Sequence, residues 1–219
     1  MKAFSWEDFG VTADKVLEDI KKYVDVNDIS IDAVVPIMRG GNFLGTFLAY
    51  KLNVLRILPV QYKYFFAGEN KAELRQLLFT PTKDLLPQNP TILVVEGDYC
   101  YGTTVKQACL DIQKEIPTAR IIVAADLMDY TYRSAVDKYA EAVFYGRYTN
   151  HCEELTKEQC AKLGIVDQGI APWEDAEEEQ SVFDLKQFEY KDLESAKKNS
   201  ERKLEIDLTE LLEKWGSKD

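Results

Sequence analysis

Thr91-Ile-Leu-Val-Val-Glu-Gly-Asp-Tyr-Cys-Tyr-Gly-Thr-Thr104 is the most informative segment of this sequence. It begins with an apolar run of strand length over residues 91–95, and a helical pattern over residues 105–115 follows its last threonine. Between them, a glycine and two threonines mark the start of the helix, where unpaired backbone N–H groups and the helix dipole favour an anion. The stretch therefore predicts a buried strand, a phosphate-binding loop and a helix in direct succession.

The loop within this stretch has two interpretations. In the functional one, the backbone N–H groups of Tyr101, Gly102, Thr103 and Thr104 and the two threonine hydroxyls surround a phosphate. Glu96 then accepts hydrogen bonds from the hydroxyls of an attached sugar. In the alternative, the loop is an ordinary turn in which Thr103 or Thr104 caps the helix. The residues of this stretch leave both open.

The rest of the chain repeats the order of strand and helix. Further apolar runs that predict strands are residues 31–38, 55–60, 121–125 and 142–145. An amphipathic helix is expected after Ser5, and a second helix over 43–52. This alternation predicts an α/β fold with a mainly parallel, twisted sheet and helices on both faces. Ligands bind such sheets at the carboxyl ends of the strands, where the Arg39 turn and the Glu96 loop both fall.

Two segments depart from this alternation. Residues 62–83 are polar, aromatic and proline-containing without sustained periodicity, which predicts a mobile loop. An acidic run after Trp173 indicates a solvated linker. Beyond it, one helical face carries Leu204, Leu208, Leu211, Leu212 and Trp215. We expect a domain over residues 1–175, and an acidic linker with an amphipathic C-terminal helix over 176–219. That helix would dock on its own domain or on a second copy.

Composition restricts the partners and the compartment. The net charge of −11 disfavours nucleic acid and anionic membranes, because both would be repelled. No apolar run approaches the roughly 20 residues that span a bilayer, and the N-terminus lacks the order of a secretory signal. We therefore expect a cytoplasmic protein.

Metal and hydrolase sites find little support in the sequence. The four cysteines show no CxxC spacing, and the chain has a single histidine. His151, Cys152 and Cys160 lie close together, but their spacing matches no closed zinc ligand set. No GxSxG sequence is present, so a nucleophile elbow is not indicated.

The Glu96 stretch resembles the phosphoribosyl-pyrophosphate motif of the type I phosphoribosyltransferases. That motif consists of four apolar residues, two acids, two apolar residues and Asp-Thr-Gly-x-Thr, and residues 93–96 and 102–104 fit it without a gap. Residues 34–41, which end in Arg39-Gly40-Gly41, resemble the family's first loop, where the backbone and an arginine hold pyrophosphate. A guanidinium suits phosphate by its charge and its fork of donors.

Two further segments are similar to the xanthine-guanine type of purine phosphoribosyltransferase. They are residues 5–9, in the opening helix, and residues 171–174, at the end of the hood. This similarity implies a small hood whose aromatic side chains stack on the purine, with Tyr130 and Trp173 as candidates. An equally weighted alternative is that Trp173 packs the hood against the core.

The sequence also departs from the motif. Gly97 replaces the second acid, Cys100 replaces the loop aspartate that is often assigned as general base, and Tyr101 replaces a threonine. Asp98 stands at a position that is usually apolar and could supply a displaced carboxylate. The resemblance therefore implies Glu96, Asp98 and Cys100 as the catalytic candidates, with Glu96 also the candidate ligand for Mg²⁺.

Three hypotheses follow. The first is an enzyme, a homodimer, that transfers ribose 5-phosphate from phosphoribosyl pyrophosphate to a nucleobase, with a purine as the expected acceptor and Mg²⁺ bridging pyrophosphate and ribose oxygens. The second is a regulatory protein that binds phosphoribosyl pyrophosphate or a nucleoside monophosphate without turnover. The third is a dinucleotide-binding Rossmann protein, which is weak because residues 40–45 lack GxGxxG and no acid follows about 20 residues later.

Overall fold

The computed structural model describes residues 2–68, 71–131, 138–152, 154–166, 169–174 and 203–207. The chain divides into two compact units, Met1–Val60 with Thr80–Trp173, and Gln61–Phe79 with Glu174–Asp219. The helices are α1 (Trp6–Asn27), α2 (Gly41–Lys51), α3 (Thr103–Glu115) and α4 (Lys157–Leu163). The strands are β1 (Lys2–Ala3), β2 (Ala33–Met38), β3 (Val60–Gly68), β4 (Lys71–Phe79), β5 (Thr91–Tyr99), β6 (Arg120–Asp129), β7 (Ala142–Thr149), β8 (Gly169–Ile170) and β9 (Lys203–Asp207).

The first unit is built on four parallel strands in the order β7-β6-β5-β2. Their shared register places Pro36 of β2 beside Val95 of β5, and Glu96 beside Ala125 of β6. The carboxyl ends of β2, β5 and β6 therefore lie side by side at one edge of the sheet. Helices cover both faces, as the alternating sequence pattern predicts, and β1 and β8 form a separate parallel pair.

Helices α1 and α2 share one apolar cluster with the sheet. The cluster joins Val16 and Ile20 of α1 and Leu44 and Leu48 of α2 to residues of β2, β5 and β6. Ser5 begins α1 with a capping box, because its hydroxyl accepts from the Asp8 N–H while the Asp8 carboxylate accepts from the Ser5 N–H. The predicted opening helix and the predicted helix over 43–52 are both confirmed.

Two strand predictions need correction. The β5 strand continues to Tyr99 instead of ending at Val95, because Asp98 and Tyr99 still pair with Leu127 and Met128 of β6. Residues 96–99, which lie beyond the predicted strand, are thus part of β5. The run 55–60 was predicted as a strand, but it contributes only a bridge between Ile57 and Val34 before β3 begins. Leu55 is 91% exposed, so its apolar character does not reflect burial.

The second unit contains β3 and β4. The prediction of a mobile loop over residues 62–83 was wrong, because most of this run lies in these two strands. Strand β4 pairs antiparallel with β9, with Leu74 opposite Leu204. Leu204 therefore lies in a strand and not in the predicted C-terminal helix, whose remaining residues lie outside the described part of the chain. Local periodicity missed this sheet because β9 lies more than a hundred residues away in sequence from β4.

Within the part of the chain that the structure describes, no helix is both long and apolar enough to cross a membrane.

Candidate functional site

The turn between β2 and α2 lies directly against the end of β5. A Cβ atom added to Gly41 would lie 2.1 Å from the Val95 carbonyl oxygen, and one added to Gly97 would lie 2.9 Å from the Gly40 Cα. Backbone meets backbone here because these three glycines have no side chains. We call Gly40, Gly41 and Gly97 the glycine contact. It joins the two segments that the sequence placed independently at the carboxyl ends of strands.

The glycine contact explains the first departure from the motif. Gly97 stands where the second acid would be, and any side chain there would meet Gly40 backbone atoms at 2.8 to 2.9 Å. An aspartate at this position would require the Arg39 turn to move. The change to glycine is therefore matched by the packing around it.

Glu96 and Arg39 flank this contact. Glu96 is half-buried, and its Oε1 accepts a hydrogen bond from the Gly97 N–H at 2.8 Å. The same oxygen lies 3.5 Å from the position of a Cβ on Gly40, so the carboxylate overhangs the turn. Arg39 is exposed, and its carbonyl accepts from the Asn42 N–H at 3.1 Å. The structure thus brings an acid and a cation to the same strand ends.

Helix α3 begins at the predicted phosphate loop. Gly102 is its N-cap and adopts a left-handed conformation with φ 73°, which favours glycine. A Cβ at Gly102 would lie 2.1 Å from the Tyr99 hydroxyl oxygen, which itself lies 2.8 Å from the Tyr139 hydroxyl. No side chain caps this helix, so the interpretation in which Thr103 or Thr104 is the cap is wrong. The first-turn N–H groups, including those of Thr103 and Thr104, have no intrahelical acceptor.

A second group of side chains lies beside β5. Asp98 Oδ2 is 3.3 Å from His151 Nδ1, while His151 Nε2 accepts from the Gly169 N–H at 3.2 Å. Cys100 Sγ lies 3.2 Å from Cys152 Sγ, and the buried Asp129 accepts from the Cys152 N–H at 2.9 Å. We call Asp98, Cys100, Asp129, His151 and Cys152 the thiol-carboxylate cluster. It ties the loop after β5 to the loop after β7.

The surroundings of the thiol-carboxylate cluster raise the pKa of Asp98 and of Cys100 and so favour their protonated forms. Burial raises the pKa of Asp98, His151 opposes that change, and Asp129 adds to it. The hydrogen bond with Cys152 raises the pKa of Cys100, and burial and the nearby carboxylates raise it further. On β6, burial raises the pKa of Asp126 to about 6, although a hydrogen bond from Thr12 acts to lower it. Cys100 is therefore a thiol at neutral pH and a poor proton acceptor.

The two aromatic candidates have different ring neighbours. Trp173 stacks on Phe43, with ring centroids 4.5 Å apart and planes 17° apart, and it meets Phe9 edge to face. These are the contacts expected if Trp173 packs against the core. Tyr130 meets Tyr148 of β7 edge to face at 5.1 Å, and its N–H donates to the Thr149 carbonyl.

Sequence reasoning missed the partners of Asp98 and Cys100. The sequence placed His151 and Cys152 in a metal-like trio with Cys160, a buried residue of α4, and not beside β5. No spacing rule links them to β5, because about 50 residues separate the paired positions. Only the parallel register of β5, β6 and β7 brings them together.

The positions of the acidic residues indicate which of them could hold Mg²⁺. Among the described residues, no group of three or more histidine, cysteine, aspartate or glutamate side chains is arranged to hold a metal ion. Mg²⁺ is often bound by one or two carboxylates together with substrate phosphates and water. The Glu96 carboxylate, which overhangs the Arg39 turn, fits that kind of site.

Comparisons with known proteins give relatives by structure and none by sequence. No protein-family model and no curated protein matches the chain. A purine phosphoribosyltransferase of Pyrococcus horikoshii matches with a TM-score of 0.56 at 13% identity, over 80% of this chain and 94% of that one. A xanthine-guanine-hypoxanthine phosphoribosyltransferase of Helicobacter pylori matches with a TM-score of 0.54 at 16% identity, over 82% of this chain and 97% of that one. A hypothetical protein of Neisseria gonorrhoeae with bound ppGpp matches with a TM-score of 0.56 at 16% identity, over 81% of this chain and 90% of that one.

Proposed function

We propose that this chain, which has the type I phosphoribosyltransferase fold, transfers ribose 5-phosphate from phosphoribosyl pyrophosphate to a nucleobase, with a purine as the expected acceptor. One observation carries the proposal. The glycine contact holds the Arg39 turn against the end of β5, beside Glu96, and the same strand leads through Gly102 into the uncapped start of α3. Two anion-binding segments thus converge around one carboxylate.

Each part of this site matches one part of the substrate. The N–H groups at the start of α3, with the hydroxyls of Thr103 and Thr104, suit the 5-phosphate. The Glu96 carboxylate suits the ribose hydroxyls as an acceptor, and the exposed Arg39 guanidinium suits the pyrophosphate. These groups bind and orient, and orientation alone can supply several kcal/mol toward a reaction of two bound substrates.

The proposed reaction breaks the bond between ribose C1 and pyrophosphate and forms a bond between C1 and a ring nitrogen of the base. The nitrogen loses its proton, and pyrophosphate leaves with the bonding electrons. Arg39 and the backbone N–H groups of the turn stabilise the negative charge on pyrophosphate. Mg²⁺, held in part by Glu96, would supply further charge neutralisation there. Asp98 is the remaining carboxylate candidate for the proton, whereas the Cys100 thiol is paired with Cys152.

The base would lie near the aromatic residues. Tyr130 is half-buried and offers a ring for stacking. Trp173 is already stacked on Phe43, but its buried indole N–H has no acceptor among the described residues. We therefore assign Tyr130 a stacking role and Trp173 a hydrogen bond from its N–H to an acceptor atom of the base.

The second candidate function is binding without turnover. Gly97 and the paired Cys100 thiol leave the motif without its second acid and its loop carboxylate, which favours a regulatory protein that binds a phosphorylated ribose. The neighbour from Neisseria gonorrhoeae, solved with bound ppGpp, is consistent with a nucleotide ligand on this fold. General-base assistance is typically worth about a hundred- to ten-thousand-fold, so its loss would slow transfer without abolishing it.

Titration calorimetry combined with an assay of pyrophosphate release separates the two functions. Phosphoribosyl pyrophosphate, nucleoside monophosphates and purines are each tested with and without Mg²⁺. The enzyme is supported by phosphoribosyl pyrophosphate binding with purine-dependent pyrophosphate release, and the regulatory protein by binding alone. Glu96→Gln should weaken binding, whereas Glu18→Gln, an exposed change on α1, should not. No binding of any phosphorylated ligand would reject both functions.

Assembly and location remain predictions. We propose a cytoplasmic homodimer, as the sequence suggested. Light scattering on the purified protein measures the assembly directly, and a monomer across a wide concentration range would contradict it.

A further inference from the structure

The thiol-carboxylate cluster contains two cysteines that the proposed reaction does not use. Cys100 Sγ and Cys152 Sγ lie 3.2 Å apart, although 52 positions separate the two residues in sequence. All four cysteines are present as thiols, and Cys109 and Cys160 are buried elsewhere. The close approach of one pair is therefore a property of the tertiary structure.

We propose that Cys100 and Cys152 form a reversible disulfide that joins the loop after β5 to the loop after β7 and thereby controls the start of α3. The sulfur atoms need to approach by only about 1 Å to reach the roughly 2.05 Å of a disulfide bond. The folded chain thus holds the two thiols at a high effective concentration, and the entropy of bringing them together has already been lost on folding.

The surroundings favour the disulfide over a single ionised thiol. Asp98 and Asp129 both lie near the pair, so a thiolate there is disfavoured by like charge and by burial. A disulfide carries no charge and avoids that cost. We expect slow formation, because exchange requires a thiolate, and a stable product once it has formed.

Glutathione disulfide is a suitable oxidant for the step. The Cys100 sulfur, the more exposed of the two, loses its proton and attacks one sulfur of glutathione disulfide, which releases one glutathione thiolate. Cys152 then loses its proton and attacks the Cys100 sulfur of the mixed disulfide, which releases the second glutathione. Cys152 is fully buried, but its target is the adjacent sulfur and not a group in solvent. Two protein thiols are oxidised by two electrons, and one glutathione disulfide is reduced to two thiols.

The consequence for the site follows from chain connectivity. Cys100 stands two residues before Gly102, whose position is already restricted by the Tyr99 side chain beneath it. Movement of Cys100 toward Cys152 is transmitted to the backbone N–H groups that open α3. A displacement of about 1 Å in a positioning group can cost about a hundred-fold. This consequence rests on the proposed function, whereas the disulfide itself does not.

Mass spectrometry tests the disulfide directly. The reduced protein is equilibrated at about pH 8.5 with glutathione buffers of increasing oxidised fraction, acidified, alkylated and digested. We expect a peptide pair linked through Cys100 and Cys152, together with the loss of two hydrogen atoms from the intact mass. Cys100→Ser and Cys152→Ser should each abolish the linked pair, whereas Cys109→Ser should retain it. Complete alkylation of both thiols in the most oxidising buffer, with the protein folded, would overturn the proposal.

Binding is then measured on the separated oxidised and reduced forms. We expect the affinity for phosphoribosyl pyrophosphate to fall by at least about tenfold on oxidation and to recover on reduction. The Cys152→Ser variant should not respond to the oxidant. Equal affinities of the two forms would overturn the control of α3. If neither form binds the ligand, the proposed function fails while the linked peptide still decides the disulfide.

Discussion

The glycine contact and the thiol-carboxylate cluster meet at one strand end but are held together by different forces. Gly97 and Asp98 are consecutive residues of β5, so they point to opposite faces of the sheet. The glycine contact is backbone against backbone and contains no group that ionises or oxidises. The cluster is held by carboxylates, an imidazole and thiols. Steric substitutions should therefore break the first, and pH and oxidants should alter the second.

The largest effect is expected from Gly41→Ala. The new Cβ would lie 2.1 Å from the Val95 carbonyl oxygen, and both groups are backbone, so neither moves cheaply. We expect the free energy of unfolding, measured by urea denaturation, to fall by about 3 kcal/mol, the upper end for overpacking. Gly10→Ala is the matched control, because no atom lies within 4 Å of its Cβ position in α1. It should raise stability by about 0.5 to 1 kcal/mol, and equal stability of the two variants would contradict the contact.

Gly102→Ala should come next. Its Cβ must avoid the Tyr99 hydroxyl while the residue keeps a positive φ of 73°, so the start of α3 has to shift. We expect the affinity for phosphoribosyl pyrophosphate, measured by calorimetry, to fall by at least about tenfold, because the N–H groups leave their positions. Gly164→Ala also has a positive φ, 66°, but meets no atom within 4 Å. That control should lose about 1 kcal/mol of stability and no affinity, and equal affinity losses in both variants would exclude a local effect.

The pH dependence of stability tests the charged groups through Asp126, whose pKa is raised by burial and, to a smaller extent, by the nearby Asp98 of the cluster. Burial raises the pKa of Asp126 from the ordinary 3.8 to about 6, so between these values the folded protein holds a proton that the unfolded chain has lost. This group therefore makes stability fall as the pH rises from about 4 to 6, by about 2 to 3 kcal/mol.

Asp126→Asn should remove that decrease. The difference in unfolding free energy between wild type and variant, measured at intervals from about pH 4 to 7, should change by about 2 to 3 kcal/mol. Asp14→Asn, an exposed change on α1, should leave the wild-type profile unaltered. Parallel profiles of wild type and Asp126→Asn would show that the carboxylate ionises as easily in the folded protein as in the unfolded chain.

The smallest effect is expected from His151→Gln. His151 donates to Asp98 and accepts from the Gly169 N–H, and replacement weakens both contacts. We expect a loss of about 1 kcal/mol in unfolding free energy, typical of one hydrogen bond. The pKa of Asp98, followed by its carboxyl resonance in NMR, should rise, because His151 now lowers it. A fall in that pKa would mean that the histidine does not stabilise the carboxylate.

The fold was largely predictable because parallel strands buried on both faces leave a strong local signal. Residues 91–95 and 121–125 are continuous apolar runs, and both lie in strands of the sheet. The strands β3 and β4 were not predictable in the same way. Strand β4 pairs with β9, which lies more than a hundred residues away in sequence, so this pairing involves a partner that no local window contains.

The candidate site was predictable in its outline and not in its bonding. The two loops could be placed at neighbouring strand ends because both followed buried strands of one parallel sheet. The pairing of Asp98 with His151 and of Cys100 with Cys152 could not, since residue spacing says nothing about contacts across 50 residues.

The order of residues is enough to indicate where an anion could bind. A strand that runs into glycine and threonine at a helix start exposes backbone N–H groups whatever the rest of the chain does. The departures from the motif can be explained only from the packed structure. Gly97 is required by the backbone of Gly40, and Cys100 faces a second thiol. Both facts depend on distances between segments far apart in the chain, which packing fixes and sequence order does not.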